Sequence, residues 1–155
     1  MRLLGLLGLF VIPAAAQHAH PPTTEKPVSL LSGMGAYTLP MQTRSPQAQS
    51  YFNQGVNLLY GFNRYESLRS FKKAAELDPG AAMPYWGIAM AYGPHINMDL
   101  DGDSDAKQSC EAAERGLKLA KAGSREHGWL TALTARCPQY DGARYAAAMR
   151  DLHQR

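Results

Sequence analysis

The sequence predicts an all-α protein built from short antiparallel helix hairpins, and three observations carry that prediction. Alanine is abundant and β-branched residues are few, which favours helix over strand. Apolar side chains recur at three- and four-residue spacing between residues 46 and 136, in runs separated by short turns rich in Gly, Pro or Asn. The chain also repeats itself. A shift of 34 residues places Tyr51 on Tyr85, Phe52 on Trp86, Gly55 on Ala89 and Leu58 on Tyr92.

Residues 1–16 have the layout of an export leader. Arg2 supplies a positive start, Leu3 to Ile12 an apolar stretch, and Pro13 a break before the small residues Ala14-Ala15-Ala16. The apolar stretch is too short to span a bilayer, so cleavage near Gln17 and export to the periplasm or medium are expected. The 155 residues allow one domain, and the net charge of +3 is spread without a basic stripe. Nucleic acid is therefore a poor partner, and no later apolar run is long enough for a membrane span.

Residues 17–45 form a lead-in that Pro21, Pro22, Pro27 and Pro40 keep from becoming helix. Its apolar patch (Val28, Leu30, Leu31, Met34, Tyr37, Leu39, Met41) predicts docking onto the body. Ser45-Pro46 is a helix start, with serine as cap and proline at the first helical position. Helix one then runs from Pro46 to Tyr60 and ends at Gly61-Phe62-Asn63. Helix two covers Arg64 to Leu77, with Leu68, Phe71, Ala74 and Ala75 at helical spacing, and Asp78-Pro79-Gly80 stops it. Helix three spans 82–92, with Pro84 tolerated in its first turn. Helix four spans 105–120, and helix five runs from the Gly123-Ser124 opening to Arg136. Pro138 ends that element, and Asp141 caps a last helix.

The first hairpin resembles tetratricopeptide repeats. Tyr51 stands at the family's aromatic position, Gly55 at its close-packing glycine, Ser67 at the small residue of the second helix, and Phe71, Ala74 and Pro79 follow at its spacing. The chain as a whole is similar, more loosely, to exported bacterial members of unassigned function. The resemblance implies a short α-solenoid with a right-handed superhelix. Repeat one would cover 46–80, repeat two 81–122 with an acidic loop insert, and a degenerate third hairpin 123–155.

It also implies a binding scaffold rather than an enzyme, because the first helix of each repeat lines a concave groove. Carried over to this chain, the groove positions are Gln49, Phe52, Val56, Leu59 and Tyr60, then Met83, Trp86 and Met90. An apolar peptide or partner protein suits such a surface, and the lysine and asparagine that clamp a terminal carboxylate are not expected there. Two occupants stand open, namely the chain's own residues 28–41 and an external segment. Since roughly three repeats are needed for stability, a longer array or self-association through the last helices is a further reading.

Other chemistry is sparse. Asn97, Asp99, Asp101, Asp103 and Asp105 alternate like the first half of an EF-hand loop, with Gly102 among them. Ser104 and Gln108 depart from that pattern, so a calcium-responsive module competes with a plain acidic loop capping helix four. Cys110 and Cys137 flank helices four and five and are candidates for a disulfide in an oxidising compartment. His18 and His20 are placed to bind copper or nickel at a mature N-terminus, or are incidental. No nucleophile turn, phosphate loop or paired-carboxylate site is evident, and no cofactor is expected.

Overall fold

The computed structural model describes residues 26–95, 103–138 and 140–154. Within them the secondary structure is wholly helical: α1 (Pro46–Tyr60), α2 (Arg64–Leu77), α3 (Met83–Tyr92), α4 (Asp103–Leu119), α5 (Arg125–Thr134) and α6 (Gly142–His153). Local chemistry sets the ends. Ser45, Asn63, Ser124 and Asp141 each accept a hydrogen bond from a backbone N–H three residues on, satisfying a donor the first turn cannot pair. Pro46 and Pro84 sit in first turns, where their missing N–H costs nothing. Helix α5 stops at Thr134, two residues before the expected end. The N–H groups of Ala135, Arg136 and Cys137 reach back only three residues, so the helix tightens and unwinds there.

Each helix packs chiefly on its neighbours in the chain, and α1 also meets α3 as α3 meets α5. One core runs through them. Its centre is Phe71 of α2, fully buried between glycines of two different helices. A Cβ at Gly55 would lie 2.6 Å from the Phe71 ring, and one at Gly87 would lie 2.4 Å from it. Ser67 reinforces the same approach by donating its hydroxyl to the Gly55 carbonyl at 2.8 Å. From Phe71 the rings continue through Phe52 (5.5 Å between centroids) to Trp86 (6.4 Å) and on to Trp129 (5.6 Å), linking α2, α1, α3 and α5.

The second half is tied differently. Cys110 and Cys137 form a disulfide with Cα atoms 5.7 Å apart, joining α4 to the chain just past α5. Gly116 lets Leu130 of α5 approach α4, where an added Cβ would come within 2.7 Å of that side chain. None of the residues of α6 is fully buried. Its outward positions carry Arg144, Arg150 and Asp151, and its inward ones Tyr145, Ala148, Met149 and Leu152. No helix among the described residues is long and apolar enough to cross a membrane.

Phe71 has no room to retreat, so Gly87→Ala should destabilise the fold by about 1–3 kcal/mol, the usual cost of overpacking. Thermal unfolding would read this as a clear drop in Tm, and an unchanged Tm would mean that the ring is not wedged. Reducing the disulfide frees a loop of 27 residues in the unfolded chain. That should cost about 3–4 kcal/mol in denaturant unfolding.

Candidate functional site

The candidate site is the cleft where the lead-in meets the first helix of each hairpin. Residues 26–43 double back along α1 as two extended limbs. In the first limb the Val28 carbonyl accepts from the Tyr51 hydroxyl (3.0 Å). The Gln54 side chain takes the Ser29 carbonyl (3.1 Å) and the Leu31 N–H (2.7 Å). Gly33 and Gly35, both with φ near +80°, turn the chain.

The second limb runs back beside Gln49, Asn53 and Asn57. Asn57 donates to the Tyr37 carbonyl (3.1 Å), and Asn53 accepts from the Leu39 N–H (3.1 Å). Gln49 donates to the Leu39 carbonyl (3.0 Å) and accepts from the Met41 N–H (3.0 Å). Beyond it, Arg125 of α5 donates to the Pro40 carbonyl (2.6 Å), and the buried Glu126 accepts from the Gln42 N–H (2.6 Å). Thr43 donates to Asp78 at 2.5 Å. That hydroxyl, aided by N–H groups of Gly80, Arg44 and Ala81, holds the Asp78 carboxyl below the usual carboxylate range.

Between this strap and the helices lies an apolar socket of about 150 Å³. Tyr37 and Leu39 of the strap form one wall. Tyr60 (α1), Trp86 and Met90 (α3), Trp129 (α5), and Tyr145 and Met149 (α6) form the rest. Three phenols gather there, and burial, then the nearby Tyr145 and Tyr37, raise the Tyr60 pKa. Cations flank the rings: the Arg125 guanidinium lies 5.4 Å from the Trp129 centroid and that of Arg136 3.8 Å from Tyr145. Arg64, at the start of α2, caps the far end of α3 by donating to the carbonyls of Met90, Ala91 and Gly93. Its pKa is lowered by burial and next by Arg136.

Comparison of the chain with protein-family models, with curated proteins and with solved structures found no match. The site thus stands on its own geometry.

Of the eight groove positions expected to line the cleft, Tyr60, Trp86 and Met90 border the socket and Gln49 holds the strap. Phe52, Val56, Leu59 and Met83 are core instead. Phe52 faces Phe71 and Trp86 inside the helix packing, and the other three belong to the same buried cluster, so none offers an open contact. The cleft is also less apolar than expected, because Asn53 and Asn57 stand there beside Gln49. Four-residue spacing of amide side chains on one helix was the available signal for them. Trp129, Tyr145 and Met149 were legible as helical residues but not as neighbours of Trp86. The alternating acidic segment falls largely at 96–102, outside the described residues, as do His18 and His20. Among the described residues no three His, Cys, Asp or Glu side chains come together as a metal group would require.

Asp78 has a depressed pKa in the folded chain, so its contribution is present above the ordinary carboxylate pKa and lost as pH falls through the lower folded value. Thr43→Val should therefore lower stability at pH 7, with the deficit shrinking as pH falls below the ordinary carboxylate pKa and the carboxylate protonates. Urea unfolding across that range would measure it, and a pH-independent deficit would remove the carboxylate from the account.

Proposed function

We propose that this chain is a non-catalytic helical-repeat scaffold of the tetratricopeptide type, holding an apolar segment of a partner protein in its cleft. Three features support the repeat reading. The hairpins follow one another in the packing, α1 meets α3 as α3 meets α5, and Gly55, Ser67 and Phe71 make the close contacts that such a hairpin requires. An exported chain with a leader at residues 1–16 fits the disulfide, since such bonds persist in oxidising compartments.

The observation that carries the binding reading is the socket itself. It draws on α1, α3, α5 and α6 at once, is walled by aromatic and thioether side chains, and at about 150 Å³ matches a cavity that holds one benzene-sized group. An aromatic or branched aliphatic side chain is thus the natural occupant, and large apolar anchors of that kind dominate interface energies.

Selection from a random heptapeptide phage library with the disulfide-bonded chain would test this. Apolar and aromatic consensus peptides should emerge. Tyr60→Ala and Met149→Ala, which alter the socket rim outside the fully buried core, should weaken them roughly tenfold, as loss of an anchor contact does. A purely charged consensus, or none, would sink the reading.

A further inference from the structure

The socket accounts for one side chain of a partner; the strap beside it shows how the partner's backbone would be held. We infer that residues 37–41 occupy, in cis, the seat of an extended partner segment, and that the partner binds by displacing them. This rests on the scaffold reading above and specifies its ligand and its regulation.

The geometry begins with a match of repeats. Residues four apart on a helix are about 6 Å apart along its axis, and residues two apart in an extended chain span about 6.6 Å. Amide side chains at positions i, i+4 and i+8 of a helix can therefore address every second residue of an extended segment. Gln49, Asn53 and Asn57 do this to Met41, Leu39 and Tyr37, with the strap running opposite to α1. The amides are held in place for it: Gln49 donates to the Asn53 side chain (2.8 Å), and Asn57 to the Asn53 carbonyl (2.8 Å). Each has both a donor and an acceptor, so the row can serve N–H and C=O alike.

Main-chain hydrogen bonds of this kind confer affinity without choosing a sequence; pockets beside them choose. The strap fills those pockets only in part. Tyr37 is 59 % exposed, Leu39 packs against the core while half-buried, and Met41 is buried in it. An intramolecular segment needs little contact energy, because tethering gives it a high effective concentration. A partner lacks that advantage and must gain it from the socket beside Leu39.

The displacing ligand is therefore an extended segment with a large aromatic or aliphatic residue at the Leu39 position and a second apolar residue two further on, at the Met41 position. Arg125, now bonded to the Pro40 carbonyl, favours an acidic residue between them. Thr43, Asp78 and Glu126 anchor the C-terminal end of the strap, and Tyr51 and Gln54 hold its first limb, so opening concerns residues 37–41 and leaves the helices joined.

The test uses the full disulfide-bonded chain and a labelled peptide with the sequence of residues 36–43 carrying Leu39→Phe. Fluorescence anisotropy would compare the wild-type chain with a Tyr37→Ser/Leu39→Ser chain, whose strap is weakened while α1 is intact. The weakened chain should bind at least about tenfold tighter, and adding Asn53→Ala to it should abolish the gain. Equal affinity for both chains, weaker binding by the strap variant, indifference to Asn53→Ala, or no binding at all would each overturn the inference.

Should the double variant lose helix content, hydrogen exchange on the wild-type chain decides the matter. Saturating peptide should speed exchange at the Leu39 and Met41 amides, and unchanged protection would overturn displacement. If library-selected peptides bind at the socket while these strap measurements fail, the scaffold stands and only the cis-ligand is lost. If neither library nor strap peptide binds, both readings fall.

Discussion

The insertion of Phe71 between Gly55 and Gly87 is the contact on which the rest of this molecule depends. A ring held from two sides by bare backbone fixes the separation of α1, α2 and α3 at once, because neither helix carries a side chain that could repack around it. With that spacing set, Phe52 reaches Trp86, and Trp86 reaches Trp129. The rings that build the core thus also deliver the floor of the socket. Structure and candidate function share the same side chains, with Trp86 packed below and the cavity above.

The face of α1 turned away from Phe71 is left for other work. Its core residues point inward at Phe52, Val56 and Leu59, while Gln49, Asn53 and Asn57 fall on the adjoining, outer stripe. A polar stripe on a helix would ordinarily be solvated. Here its amides are spent on main-chain groups of the strap, which has no secondary structure to satisfy them and lies on the surface where such groups need partners. Arg64 serves α3 in the same way, pairing carbonyls at the C-terminal end of that helix, where the last turn has no further intrahelical donors.

The two halves of the chain are held by unlike means. From α1 to α3, large apolar side chains and glycines give a dense core. Past α3 fewer apolar residues are buried, α6 buries none fully, and the covalent link between Cys110 and Cys137 fixes α4 against the end of α5. The disulfide thus adds a covalent tie in the half of the chain that buries fewer apolar residues, where restricting the unfolded chain contributes more relative to packing.

Much of this was written locally. The bounds of α1 and α2 follow from Ser45-Pro46, the Gly61-Phe62-Asn63 turn and Asp78-Pro79, because caps and breakers act on the backbone beside them. The packing roles of Gly55 and Phe71 were readable through the resemblance to tetratricopeptide repeats, whereas that of Gly87 was not: its role depends on a ring that arrives from another helix. For the same reason the sequence identified Phe52, Val56, Leu59 and Met83 as apolar without deciding whether they line a cleft or fill a core. Periodicity tells which side chains share a stripe, and only the packing of α2 and α3 tells what that stripe faces. The fate of the lead-in was decided at that level too. Its prolines excluded helix, but its seat along α1 arises from hydrogen bonds between residues 8 to 25 apart, a register no local rule contains. The sequence by itself thus determined which segments are helical and, to within two residues, where they begin and stop. The tertiary structure decided which apolar face is buried, which is open, and what lies in the cleft between them.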